Sequence, residues 1–309
     1  MMKPTLLHIG LCVGSASMPK YFDIQTDYTE FYLDSTLRDR LTAITEAPEY
    51  IFLQIQGDKY DGQRSTLELI EPLKRLKDMG SYIVNWNGDM RNATPSWMIP
   101  FAEAVSITCF SNQRDVDFFK SKGLNTDFMQ IGIDEDIFTP EGDKFNDHPD
   151  IVFQGNRFDH FPMSRFRNDL VNALKNKYGS RFKAFGNGYE GNTNGNQHEE
   201  SKVYRSAKIA INCSHYDSER YTSDRMFRIL GSGCFCISHN YTGIEKDFEN
   251  DQHLVMFNQI GDLCQKIDYW LEEDKRKEIA DAGQKHCFEN FTYTNMVNHI
   301  LKLKDESTT

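Results

Sequence analysis

Short runs of strand-forming residues recur along the chain, each followed by a stretch with helical spacing. Leu6–Ile9, Tyr50–Ile55, Tyr82–Trp86, Ala104–Phe110 and Phe128–Ile131 occupy the first half. Ile151–Gln154, Phe182–Phe185, Ile209–Asn212 and Cys234–Ile237 occupy the second. That alternation is the pattern of parallel sheets with crossover helices, an α/β architecture. Between the second and third runs, Leu67, Ile70, Leu73 and Leu76 share one helical face. Ser65-x-x-Glu68 forms a capping box at its start and Gly80 a stop. Pro72 inside that span predicts a kink or a later start. Ser111 is the expected N-cap of the next helix.

A length of 309 residues accommodates two domains. The segment Pro140–Asp150, PEGDKFNDHPD, is polar and without periodicity, and is expected to link them. The domains are therefore drawn at 1–146 and 147–290, both with the βα rhythm. The loop EGNTNGNQ, 190–197, reads as too polar to pack.

Hydrophobic residues make up 39% and charged residues 26%, as in an ordinary soluble globular protein. The first apolar stretch is broken by His8, Gly10 and Gly14, too early for a secretory signal or a membrane span, so a cytoplasmic location is expected. Seven cysteines are scattered with no C-x-x-C pair, which predicts buried free thiols and neither a zinc nor a redox site. The net charge of −11 is concentrated in residues 1–150, where 14 Lys and Arg face 24 Asp and Glu. Such a surface disfavours nucleic acid and anionic membranes as partners.

In open α/β sheets, ligands bind beyond the carboxyl ends of the strands. Gly10 to Gly14 follows the first strand, and Gly155-Asn156-Arg157 follows Ile151–Gln154. Glycine lets phosphate approach the backbone, and Arg157 or Arg165 would add charge-assisted bonds, although an ordinary strand-to-helix turn has the same appearance. Denser is Ser218–Arg228, with Tyr221, Ser223, Asp224, Arg225 and Arg228 around a predicted helix start. Arg225 and Arg228 share a helix face, which reads either as a diphosphate clamp or as surface ion pairs with Asp217, Glu219 and Asp224. Asp89, at the mouth of a strand, reads either as the group that orients or deprotonates an acceptor hydroxyl or as an Asx turn.

The ordered set Phe153-Gln154-Gly155-Asn156, Arg165, Phe185-Gly186-Asn187-Gly188, Tyr204–Asn212, Arg225–Gly233 and Asn290–Tyr293 resembles the donor-binding domain of CgeB-like, spore-maturation glycosyltransferases of the GT-B superfamily. Tyr82–Asp89, Gln130–Asp134 and Phe138-Thr139-Pro140 extend the resemblance into the first half. It implies two Rossmann-like, doubly wound domains facing a central cleft, with a last helix, within 291–309, crossing back to the first. It also implies metal-independent sugar transfer, without a cofactor, from a UDP- or GDP-sugar to a glycan, protein or small-molecule acceptor. Gly186 and Asn187 join the donor-binding set on that ground. A non-catalytic nucleotide-sugar-binding protein, or an enzyme acting on modified DNA bases, are the alternatives. Many retaining relatives carry two glutamates eight positions apart where this chain has Arg220 and Arg228. Here either Asp224 or Glu219 holds the donor ribose, or the donor is held mainly through its phosphates.

Overall fold

A computed structural model describes residues 2–10, 18–146, 149–191, 193 and 195–306. Among them the chain forms two compact units, residues 1–131 with 293–309, and 132–292.

The first unit is built on β1 (Thr5–Gly10), β2 (Asp27–Phe31), β3 (Tyr50–Gln54), β4 (Tyr82–Asn87), β5 (Ile107–Phe110) and β6 (Thr126–Phe128). All pair in parallel, in the order β2-β1-β3-β4-β5-β6. Alternate residues of these strands feed opposite faces. Leu7, Ile9, Ile51, Leu53 and Ile83 enter one core, while Leu6, Phe52, Val84 and Trp86 enter the other. Helices α1 (Met18–Gln25), α2 (Leu37–Ala43), α3 (Ile70–Asp78), α4 (Met98–Ala104) and α5 (Gln113–Ser121) make the connections. The final helix, Tyr293–Glu306, closes the second core with Met296, Val297, Ile300 and Leu303, and the Tyr50 hydroxyl donates to the Leu301 carbonyl at 3.0 Å.

Several local expectations shift. The Ser65 hydroxyl accepts from the Leu67 amide, but Thr66–Leu69 is a 3-10 turn and α3 begins at Ile70, which puts Pro72 in its first turn. There a proline lacks no hydrogen bond that the helix needs. Asn112, not Ser111, caps α5, its side chain accepting from the Asp115 amide. The run Ala104–Phe110 is strand only from Ile107, because Ala104 ends α4.

In the second unit β7 (Ile151–Gln154), β8 (Phe182–Phe185), β9 (Ile209–Asn212), β10 (Phe235–His239) and β11 (Val255–Phe257) pair in parallel, in the order β11-β10-β9-β7-β8. Helices α6 (Ser164–Tyr178), α7 (Gln197–Ser206), α8 (Asp224–Gly231), α9 (Ile260–Glu272) and α10 (Arg276–Asn290) cover the sheet. The division between units falls at Ile131, earlier than the linker predicted from composition. Residues 132–145 are held on the second unit by packing that polarity does not reveal. Phe138 is buried beneath Arg228, and Arg205 donates to the carbonyls of Ile137, Thr139 and Asp143. The described cysteines are unpaired and, apart from half-buried Cys264, buried. Among the described residues, no helix is long and apolar enough to cross a membrane.

Candidate functional site

In the second unit the winding of the sheet reverses between β7 and β9, and at such a point the loops part to leave a crevice. A cavity of about 550 Å³ lies there. Its walls are Gly155, Asn156 and Phe158 after β7, Gly186 and Asn187 after β8, Thr193 and Gly195 beyond them, and His215 after β9. Glu200 and Tyr204 of α7, with Asp224, Arg225 and Arg228 of α8, complete it. Thr193 and Gly195 of the stretch 190–197 therefore contribute to the site, with Thr193 buried although the polarity of the stretch predicted otherwise.

The turns after β7 and β8 interlock. The Gly155 amide donates to the Phe185 carbonyl, the Asn187 amide to Oδ1 of Asn156 at 3.0 Å, and the Arg157 amide to the Asn187 carbonyl. Gly186 has φ of +121°, and a Cβ on it would stand 2.4 Å from the Gly155 carbonyl oxygen, so no other residue fits.

Two guanidiniums flank Gly155. Arg225 donates through Nε to the Gln154 carbonyl and through Nη1 to the Cys213 carbonyl at 3.0 Å. Arg167, only 2% exposed, donates to Cys213 at 2.9 Å and to the Asn156 carbonyl at 3.2 Å. Both stand 5.2 Å from the centroid of the Phe153 ring. Burial first, and then the charge of Arg225, pull the Arg167 pKa down to about 9. Sequence reading missed Arg167. Its signal was a cation on the apolar stripe of α6, three and seven residues before Leu170 and Leu174.

Arg228 is bracketed by carboxylates, Nη1 at 2.7 Å from Glu200 and Nη2 at 2.7 Å from Asp224. Glu200 was also missed in the sequence. Of the alternatives for a donor carboxylate, Asp224 lies in the cavity wall. Glu219 is absent from that wall and pairs with Lys246 at 3.1 Å. Arg220, in the left-handed conformation with φ of 55°, pairs with Asp247.

Other predicted members fall elsewhere. The Arg165 side chain is 95% exposed, because its helix position faces solvent, one turn from Asp169. Arg157 is exposed and Tyr221 half-buried beside Tyr216, and neither lines the cavity. Ser223 occupies the N-cap position of α8, yet its hydroxyl donates to Asn212 at 3.1 Å instead of capping. In the first unit, Gly10 is buried at the end of β1, where a Cβ would stand 2.6 Å from that of Gln54. Asp89 is exposed just beyond β4. Gly14 lies outside the described residues. Among those residues, no group of three His, Cys, Asp or Glu side chains is gathered as for a metal ion.

The cavity thus joins a glycine turn, the Arg225 guanidinium in its wall with buried Arg167 beside Gly155, and a carboxylate–guanidinium bracket. That combination fits an anionic ligand with hydroxyl groups. Residues 166–302 match a family described as glycosyl transferase-like, less than half of the chain. No curated protein matches in sequence. Among solved structures, HepE of Anabaena, crystallised with UDP and glucose, is 10% identical with a TM-score of 0.64, covering 98% of this chain and 99% of its own. A glycosyltransferase of Rickettsia africae is 14% identical with a TM-score of 0.61, covering 98% of each. Sucrose-phosphate synthase of Thermosynechococcus elongatus is 10% identical with a TM-score of 0.62, covering 98% and 99%. The chain therefore has the two-domain GT-B fold, and residues 166–302 of it are glycosyl transferase-like in sequence.

Proposed function

We propose that the protein is a GT-B glycosyltransferase of the CgeB-like branch, working in the cytoplasm. It moves a sugar from a nucleoside-diphosphate donor, UDP- or GDP-linked, to a glycan, protein or small-molecule acceptor. The observation that carries this reading is the pair Arg167 and Arg225 against Gly155, at the switch point of a parallel sheet. HepE of Anabaena in complex with UDP-glucose shares the fold and agrees with that ligand class.

When the glycosidic bond to the diphosphate breaks, negative charge grows on the departing phosphate. Fixed cations in a partly dry cavity stabilise that charge more strongly than water does. Arg225 does this work, supported by buried Arg167 beside Gly155, with exposed Arg157 as a further cation and the backbone of Gly155, Asn156, Gly186 and Asn187 shaping the seat. Arg228 contributes less, because Glu200 and Asp224 already balance its charge. The chemistry is metal-independent, guanidiniums standing where a divalent ion otherwise neutralises the diphosphate. Of the first unit's residues, Gly10 and Gly14 belong to the proposed donor-binding set, and Asp89 is the group that orients or deprotonates the acceptor hydroxyl.

The test is a panel of UDP- and GDP-sugars in buffer containing EDTA, read by thermal shift and by released nucleoside diphosphate. One donor should raise the melting temperature and be hydrolysed slowly without acceptor. If no nucleotide sugar binds, the reading is lost. Loss of turnover in EDTA that magnesium or manganese restores would remove its metal-independent part.

A further inference from the structure

The cavity changes character along the strand order of its sheet. At its centre, beyond β7, stand Gly155 and Arg225, with Arg167 buried beside Gly155 and outside the wall. On the β8 side the wall has the polar Asn187 and Thr193 beside Phe185, a ring only 2% exposed. On the β9 side it is aromatic. Phe158 lines the cavity and is 38% exposed, and its ring centroid lies 5.5 Å from those of both Phe161 and His215. Phe161 in turn stands 4.6 Å from His215 and 4.2 Å from His160. The two loops that carry these rings are tied by the Met163 amide, which donates to the His215 carbonyl at 3.1 Å.

A nucleotide sugar is a linear ligand with its diphosphate in the middle. With the phosphates at the cations of the centre, its two ends reach the β8 and β9 sides. A nucleobase carries donors and acceptors on its edge and suits the polar side. A pyranose presents an apolar face of C–H groups, which suits an aromatic ring. We propose that Phe158, backed by Phe161 and His215, is the ledge on which the transferred sugar stacks, so that it sets the preference for nucleotide sugar over free nucleotide. This rests on the nucleotide-sugar reading above. His215 keeps the ledge uncharged, since burial and then the neighbouring Arg167 and Arg225 push its pKa down to about 3.

Calorimetric titration of the full chain with UDP, GDP, UDP-glucose and GDP-mannose tests it, using Phe158→Ala and Phe158→Tyr. In Phe158→Ala the nucleotide-sugar affinity should fall about three- to tenfold, with the free nucleotide bound as before. Phe158→Tyr should restore the preference, which a ring needed only for loop packing would not produce. Equal losses for both ligands, or no loss for either, overturn the ledge while leaving the nucleotide-sugar reading in place. A wild-type protein that binds none of the four overturns both.

Discussion

Nη2 of Arg225 lies so close to Gly155 that a Cβ on that residue would stand 2.5 Å from it. The glycine, with φ of +154°, and the arginine are therefore one device: the missing side chain is the space that the guanidinium occupies.

Substitution at either residue should harm nucleotide binding by the same route. Arg225→Ala removes the charge and takes one donor from each of the Gln154 and Cys213 carbonyls, the second of which keeps Arg167. We expect about 1.5–3 kcal/mol weaker binding of the preferred nucleoside diphosphate. Gly155→Ala displaces the guanidinium and should lose a comparable amount. The double variant should lose little more than either single one, because the two share a single interaction. Calorimetry of the three variants checks this, and fully additive losses would separate the two residues.

Arg228 should behave differently. Its two carboxylate bonds, to Glu200 and Asp224, keep its charge compensated. Arg228→Ala leaves two carboxylates facing each other, and should lower stability by about 1 kcal/mol. Its nucleotide affinity should fall less than that of Arg225→Ala. Denaturant melts and titrations run side by side decide this, and a larger affinity loss at Arg228 would return it to the diphosphate clamp.

His8 predicts an acid sensitivity. It is fully buried, with Nε2 at 2.8 Å from Oε1 of Gln54 and Nδ1 at 3.2 Å from the Tyr28 hydroxyl. Burial lowers its pKa to about 4, against the raising effects of Gln54 and Glu30. Between the ordinary histidine value and about 4, the unfolded chain binds a proton that the folded chain refuses, so stability falls as pH falls through that window. His8 should contribute on the order of 2 kcal/mol to the loss at pH 4.5, and His8→Gln should remove that share of it. Urea melts at pH 7 and pH 4.5 measure the difference. Equal acid losses in the two proteins would contradict the buried neutral imidazole.

Arg205 should protect the segment that precedes β7. Its guanidinium holds the carbonyls of Ile137, Thr139 and Asp143. In Arg205→Ala, limited proteolysis should cut within 139–146 several-fold faster than in the wild type, because opening of exposed backbone governs cleavage. An unchanged rate would place the hold in the burial of Phe138 instead.

The sequence by itself determined the elements that depend on near neighbours. Apolar runs such as Ile151–Gln154 and Ile209–Asn212 became strands over those residues, and Gly155 and Gly186 marked the turns that only glycine can make. The parallel α/β class followed from the same alternation. Pairings between distant residues were decided by tertiary structure. Arg228 meets Glu200 from 28 positions away, and Arg167 meets the Cys213 carbonyl from 46. A charged residue in a helix looks the same in sequence whether it turns to water or to a buried carbonyl, as the contrast between Arg165 and Arg167 shows. The polar stretch 139–146 is largely exposed, as its polarity argues, yet the guanidinium of Arg205 ties its carbonyls to the second unit, which polarity does not reveal. Thr193 is polar and nevertheless buried, because a small side chain packs into a cavity wall at little cost once the rest of the fold has formed around it.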